Sequence, residues 1–571
     1  MTKPFIKIAH NAVTAKLYGA DREAKLLVSA ILSYKVEGAE HMASFKKQHW
    51  DGRSSFFQFK ADKFPAGFVH AVHDQLKSKG YRVQLVRKPF PKPRGPAHPV
   101  VDSFALDSRY EYQPETVGRL LKYGMMVAQV ATGGGKSRIA KLAYARIGRP
   151  TLFLTTRSVL MHQMKDSFEK DMGLTVGVMG DGEWSPTSGI NVGMVQTLAP
   201  YAEKKSYAKE IEMFLAAQYE REQKELESLK VRMKRKKSAL PAISKALGEL
   251  RASHVKARPS DTYLAARVKI KVDKHNVRQA KVVKILSIFE LVILEEAHEA
   301  SGEGFFTLMS HLKNAHYRLS LTGTPFMRED EESNMRLMAV SGQVGIKISE
   351  KMLIDLEILA KPIFKYIKPV NPNPDRNRAG LFRNSTWQKA YKVGIVENQI
   401  RNGHIVDEAV RAAEYGLTSM VLVQHTAHGK TLKEQFRIGG LRAEFIQGKD
   451  DQERRKDALQ KLESGSIDVL IGSTILDVGV DVPAVGMVIL AGGGKAEIAL
   501  RQRIGRGLRC KKSGPNICLV VDFIDGFNSH LRDHAATRRA IIDSTPGFVE
   551  GILPKNQDFD YERLGFVKKA A

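Results

Sequence analysis

Cysteine is nearly absent from this chain. Cys510 and Cys518 are the only two, so no disulfide framework holds the fold, and a reducing compartment suits it. No second pair completes a zinc site around them, and ordinary thiols are expected. No uncharged run reaches the roughly 18 residues that a membrane span needs. The start of the chain, Met1 to Val13, lacks the apolar core of a secretion signal. These absences lead to the expectation of a cytoplasmic protein, in a cell or an infected cell.

Acidic residues are also in deficit. There are 62 Asp and Glu against 90 Lys and Arg, a formal charge of +28 and a pI of about 9.8. Such an excess points to a polyanionic partner, with nucleic acid foremost. A membrane surface fits less well, because no short basic amphipathic segment stands out. Hydrophobic residues make up 43% of the 571, enough for real cores and for two to four domains.

Residues 1–88 mix short strands with two helical stretches. Helices are expected at Asp21–Tyr34 and Phe68–Lys79, and strands at Ser55–Lys60 and Tyr81–Arg87. This reads as a small α+β domain, a DNA-binding accessory by position. Prolines crowd Lys88 to Pro99, so residues 89–100 are expected to form a stiff linker. Short apolar runs then recur at Thr151–Leu154, Ile190–Val195, Phe289–Leu294 and Tyr317–Leu321. They resume at Met420–Val423, Ile467–Ile471, Met487–Leu490 and Ile517–Val521. Helical segments separate many of them, as in buried parallel sheets. The rhythm predicts two α/β domains, 101–345 and 346–527, with a C-terminal extension over 528–571.

Between residues 201 and 284 the rhythm breaks into a charged, nearly glycine-free stretch. Apolar residues at Leu226, Leu229, Met233, then Leu240, Ile243, Leu247 and Leu250 alternate by three and four, with Lys236 breaking the series. Long helices folded back as a hairpin are expected, kinked near Pro241, with an N-cap at Ser260. Such a stretch reads either as a solvated helical decoration or as a basic arm for nucleic acid or a protein partner, and the run Lys234 to Lys237 favours the arm.

One stretch carries the chemistry. Ala131-Thr132-Gly133-Gly134-Gly135-Lys136-Ser137 follows an apolar strand pattern and precedes a helical one. Glycines let backbone N–H groups approach phosphate oxygens, the helix N-terminus adds positive potential, Lys136 reaches the β/γ-phosphates and Ser137 holds Mg²⁺. Val130 stands where the strict pattern places a glycine. Further on, the apolar strand Phe289–Leu294 runs into Glu295-Glu296-Ala297-His298. Glu295 suits the Mg²⁺ shell, and Glu296 suits the base that orients and deprotonates water.

With these residues in view, the chain resembles a superfamily 2 helicase. The family's motifs occur in its order: Tyr112-Gln113; the glycine loop; Leu152 to Gln163; Val192 to Leu198; Glu295 to His298; Leu321 to Pro325; Met420 to Gly429; Ser473-Thr474 with Gly479 to Pro483; and Gln502 to Arg509. The resemblance implies two tandem RecA-like domains that bind ATP with Mg²⁺ between them. It places Gln113, Thr132, Gly133, Gly134, Gly135, Lys136, Ser137, Gly479 and Asp481 on the nucleotide. Gln502, Arg506 and Arg509 join the catalytic set, the two arginines as fingers stabilising transferred phosphoryl. Thr155, Thr156, Arg157, Thr197, His425 and Thr474 are expected on nucleic-acid phosphates. His298 would couple the ATP site to Thr322 and Thr324. Glu295 departs from the usual Asp but keeps a carboxylate.

The segments Trp50 to Arg53, Phe64 to Gly67, Gly80-Tyr81 and His425 to Gly429 are similar to the phage UvsW-type helicases. That resemblance implies ATP-driven remodelling of branched DNA: forks, junctions, displacement loops and R-loops. An RNA helicase, an annealing protein with a weakened motor, and a duplex translocase are the other readings.

Overall fold

A computed structural model describes residues 3–569, apart from 237, 300–301, 327–329, 370–384, 473–484, 495–499, 501–503, 506 and 512. The N-terminal sheet runs Lys63–Pro65, Thr14–Tyr18, Phe5–His10, Arg82–Arg87, and only its last pair is parallel. Strict alternation makes it two-faced. Ile6, Ile8, Ala15, Leu17 and Phe64 are buried under the helices Arg22–Ile31 and Val69–Ser78. The other face is exposed or half-buried and shows Phe5, Lys7, Lys16, Tyr18, Lys63 and Arg82. Three strands in this sheet, Phe5–His10, Thr14–Tyr18 and Lys63–Pro65, had no counterpart in the sequence reading. The strand expected at Ser55–Lys60 does not form. Phe56 and Phe57 are adjacent and both pack inward, which a period-two strand forbids, and Asp62 turns the chain at φ 56°.

Residues 88–100 contain no regular element and are strapped to the next domain. Arg94 and Gly95 donate backbone N–H groups to Ile147 and Arg146, and Tyr317 Oη donates to the Pro91 carbonyl at 2.7 Å. That domain holds an eight-stranded sheet. Its central order is Ile190–Met194, Thr151–Thr155, Leu291–Glu295, Tyr317–Thr322, Met125–Val130, all parallel. The second domain has a six-stranded, wholly parallel sheet from Lys361–Ile367 at one edge to Ala443–Ile446 at the other. Every strand of the sequence reading between 151 and 521 has its counterpart within a few residues.

Two features differ from expectation. The insertion is three helices, Tyr207–Arg235, Leu240–Ala257 and Asp261–Leu286, not a hairpin. Pro241 sits in the first turn of the middle helix, where its missing N–H leaves no bond unmade, so it separates helices instead of kinking one. Ser260 caps the third by accepting from the Tyr263 N–H. The C-terminal segment is no appendage: Phe559, Tyr561 and Phe566 enter the core of the second domain. Arg538 on helix Ser529–Asp543 makes a buried 2.9 Å ion pair with Asp522.

Candidate functional site

Parallel strands bring their C-terminal ends to one edge, where ligands of open α/β sheets collect. Here Val130, Thr322, Glu295 and Thr155 all end strands at that edge, and Glu295 pairs with Leu321, which pairs in turn with Ala128. The glycine loop leaves Val130 and turns into helix Lys136–Ile147. Gly133 and Gly135 take φ 88° and 78°, a region that favours glycine. A Cβ on Gly135 would sit 2.3 Å from Gln113 Nε2. Val130 is fully buried and lies against Gly134, so at that position the fold uses an apolar strand end, not a glycine.

Lys136 Nζ donates to Glu296 Oε1 at 2.6 Å. Glu296 reaches it by an abrupt turn at the strand end, with φ 48° in the left-handed region that costs a residue with a Cβ. Glu295 is buried as well and stays in register with the strand, paired with Leu321. Burial pushes its carboxyl up to about 7, against the opposing pull of Lys136. Burial also works to raise Glu296, but Lys136 and His298 together outweigh it and hold that carboxyl below the ordinary range. The two adjacent acids are thus driven apart, one poised near neutrality and one kept ionised, which separates their roles. Glu295 Oε2 and Glu296 Oε2 are both buried with no hydrogen-bond partner among the described residues. An orphaned buried carboxylate oxygen close to a phosphate-type loop suits a hard cation.

From Glu296 a polar chain crosses the sheet edge. His298 Nδ1 lies 3.4 Å from Glu296 Oε2 and 2.9 Å from Thr322 Oγ1. Thr322 Oγ1 accepts from the Thr324 N–H at 3.2 Å. All four residues are buried.

Gln113 is buried, and its amide is engaged. It donates to the Gly134 carbonyl at 3.2 Å and accepts from Arg138. In this structure it braces the loop. On the other side of Arg138 lies a cavity of about 390 Å³ walled by Phe104, Tyr110 and Pro114. The sequence reading missed this slot, whose only signal was the aromatic spacing upstream of Tyr112.

The second domain reaches the same loop. A Cβ on Gly505 would sit 2.7 Å from Thr132 Cβ, and Leu359, between the sheets, covers Gly133. Arg509 pairs with Leu359 through a β-bridge, and its side chain is exposed. Gln502, Arg506, Gly479, Asp481 and Thr474 lie outside the described residues.

Thr155 is buried and its Oγ1 accepts from the Arg157 N–H, so it shapes the turn. Thr156 and Arg157 both bond Glu299, and Gln196 Nε2 donates to the Thr156 carbonyl at 2.7 Å. Thr197 is half-buried on the next turn, Val195–Leu198. His425 is exposed on the second domain, its ring 4.6 Å from that of Tyr391.

Two tandem parallel-sheet domains meeting on a glycine loop, with an acid pair coupled to a threonine turn, define a superfamily 2 helicase, and the chain belongs to that family. The family models described as Type III restriction enzyme, res subunit, and Helicase conserved C-terminal domain match residues 108–327 and 404–511. The chain is similar to the ATP-dependent DNA helicase uvsW of Enterobacteria phage T4, 26% identical over 245 residues, 42% of this chain and 46% of that protein. It is also similar to the DNA 3'-5' translocase XPB2 of Sulfurisphaera tokodaii, 28% identical over 258 residues, 39% of this chain and 56% of that one. These matches span about half the length of the relatives. The crystal structure of T4 UvsW aligns at a TM-score of 0.41 and 17% identity over 96% of this chain and 99% of that chain. No helix among the described residues is long and apolar enough to cross a membrane.

Proposed function

We propose that the chain is an ATP-dependent DNA helicase that remodels branched DNA. The observation that carries the motor reading is the acid pair facing Lys136 at a sheet edge against which Gly505 of the second domain is packed. Lys136 and the loop N–H groups bind the triphosphate. The slot walled by Phe104 and Tyr110 takes the flat base. Ser137 and Glu295 would hold Mg²⁺, which when bound neutralises phosphate charge. Glu296, held ionised, accepts the proton of the attacking water. His298, Thr322 and Thr324 carry the state of Glu296 to the strand-facing side, where Arg157 and Thr197 lie. The branched substrate is supported by the aromatic and basic outer face of the N-terminal sheet, beside the motor. That domain is docked through Glu331, which accepts from the Lys35 N–H and from Arg53.

The test is ATP hydrolysis at fixed salt with no nucleic acid, single-stranded DNA, linear duplex, a fork, and structured RNA, salt being held because phosphate binding is salt-dependent. The fork is expected to stimulate most. Equal or greater stimulation by RNA would replace this reading with an RNA helicase. Absence of hydrolysis throughout would leave a binding protein.

A pH dependence follows from Glu295. Its carboxyl must be ionised to hold a cation, and burial sets its half-ionisation at about 7. Below pH 7 protons therefore compete with Mg²⁺. The Mg²⁺ concentration for half-maximal hydrolysis is expected to rise toward about tenfold per pH unit on that side and to level off above it. A flat profile from pH 6 to 8 would remove Glu295 from the cation site.

A further inference from the structure

The insertion holds a disproportionate share of the positive charge. Residues 207–286 contain 20 Lys and Arg against nine Asp and Glu, a surplus of 11 out of the chain's 28. The third helix, Asp261–Leu286, concentrates it. Leu264, Val268, Val272, Val282 and Leu286 are its buried face. Arg267, Lys271, Lys274, Arg278 and Lys281 follow one another at alternating steps of four and three, and all five are exposed. At 3.6 residues per turn those steps keep them within about 80° of arc, in a row about 21 Å long. Lys271 lies 3.6 Å from Glu210. Arg267, Lys274 and Lys281 have no acidic partner among the described residues.

The row does not end in open surface. The Arg278 guanidinium lies 4.6 Å over the Tyr201 ring and 5.8 Å from that of Trp184, which is 38% exposed. Tyr201 also stacks on His275, with centroids 5.0 Å apart, and the Lys205 N–H donates to Asn276 Oδ1 at 2.8 Å. These contacts seat the helix on Ala199–Tyr201, the turn that continues directly from the helix carrying Thr197. The basic row therefore starts beside the proposed strand path of the motor and leads away from it along a rigid rod.

We propose that this row is a phosphate rail that holds a duplex arm of the DNA while the motor grips the strand beside Thr197. Evenly spaced cations on a straight rod match a polyanion of regular charge spacing, and such contacts hold the backbone without reading sequence. The inference rests on the nucleic-acid motor reading above and names the second grip of that motor.

The test uses the full chain with Arg267→Gln, Lys274→Gln and Lys281→Gln combined, three exposed side chains that leave no acid unpaired. A companion variant, Arg267→Lys, Lys274→Arg and Lys281→Arg, keeps the charge. Fluorescence anisotropy measures affinity for linear duplex, a fork with duplex arms, and short single-stranded DNA over a salt series. The neutral variant is expected to lower the slope of log affinity against log salt on duplex and fork by about 2 to 3, since each lost phosphate contact removes about 0.9. Single-strand affinity and ATP hydrolysis without nucleic acid should not change, and the charge-keeping variant should match the parent. An unchanged duplex slope overturns the rail and points to a protein dock. An equal loss on single strands overturns the duplex assignment, placing the row on the motor's own track. Failure of the branched-DNA reading looks different: the unmodified chain would then show no fork stimulation, while the slope on linear duplex would still report on the rail.

Discussion

Glu296→Gln lowers kcat for ATP hydrolysis by about 10²–10⁴ and leaves ATP affinity within a few-fold. The size is that of losing a positioned general base. The reason lies in how Glu296 is prepared. Lys136 at 2.6 Å and His298 at 3.4 Å keep it ionised although it is buried. Its left-handed backbone turns it toward Lys136, whereas Glu295 stays in register with the strand. The glutamine keeps an acceptor for Lys136, so the loop should hold its shape while the proton acceptor is gone. Phosphate release in single-turnover mixing, together with a nucleotide-binding titration, separates the two effects. A variant that hydrolyses normally would place the base elsewhere.

Lys136→Ala is expected to be as damaging and to act twice. It removes the cation expected on the phosphates, for which loss of a positioned charge-stabilising donor typically costs about 10²–10³ in kcat. It also leaves Glu296 buried beside Glu295 with no ammonium. Both partners of that ion pair are mostly buried, with side-chain exposures of 14% and 11%. Breaking such a pair by removing one member costs about 3–5 kcal/mol, because the remaining charge is uncompensated. The sign with pH is defined. Glu296 is held below its ordinary value of 4.5, so the stability it contributes is present above about pH 4.5 and lost as pH falls through its folded value. The destabilisation by Lys136→Ala should therefore be full at pH 7 and shrink in acid. Adding Glu296→Gln to Lys136→Ala should return much of the stability at pH 7 and none of the hydrolysis. Denaturant midpoints of the parent, the two single variants and the double variant give the coupling directly. Additive midpoints would mean that the 2.6 Å contact contributes little.

Much of the motor could be read from residue order, because its signals are local. Buried parallel strands are short apolar runs, and a glycine loop between a strand and a helix needs no distant partner to be recognised. Glu295 and Glu296 stood out because two acids end an apolar run. Other readings failed where the deciding contact was remote in sequence. Phe56 and Phe57 look like strand residues until both turn toward one core, where Phe56 lies 5.8 Å from Phe306. Pro241 looks like a kink until the chain shows separate helices on either side of it. Thr155 looks like a phosphate contact, yet the sheet buries it. The tail after residue 528 shows no repeat of the strand rhythm, yet Phe559 and Tyr561 complete the second core.

The sequence by itself determined the class of machine, since the strand rhythm, the glycine loop, the acid pair and the excess of positive charge are properties of neighbouring residues. Tertiary structure alone decided that the two adjacent acids are shifted in opposite directions, because burial and a lysine 160 positions away set that difference. It also decided that Gln113 braces the loop, that Gly505 meets Thr132, and that five cations of the insertion form one row beside the Thr197 turn. Each of these depends on chain segments brought together by the cores, and electrostatics and close packing act on distance in space, not on distance along the chain.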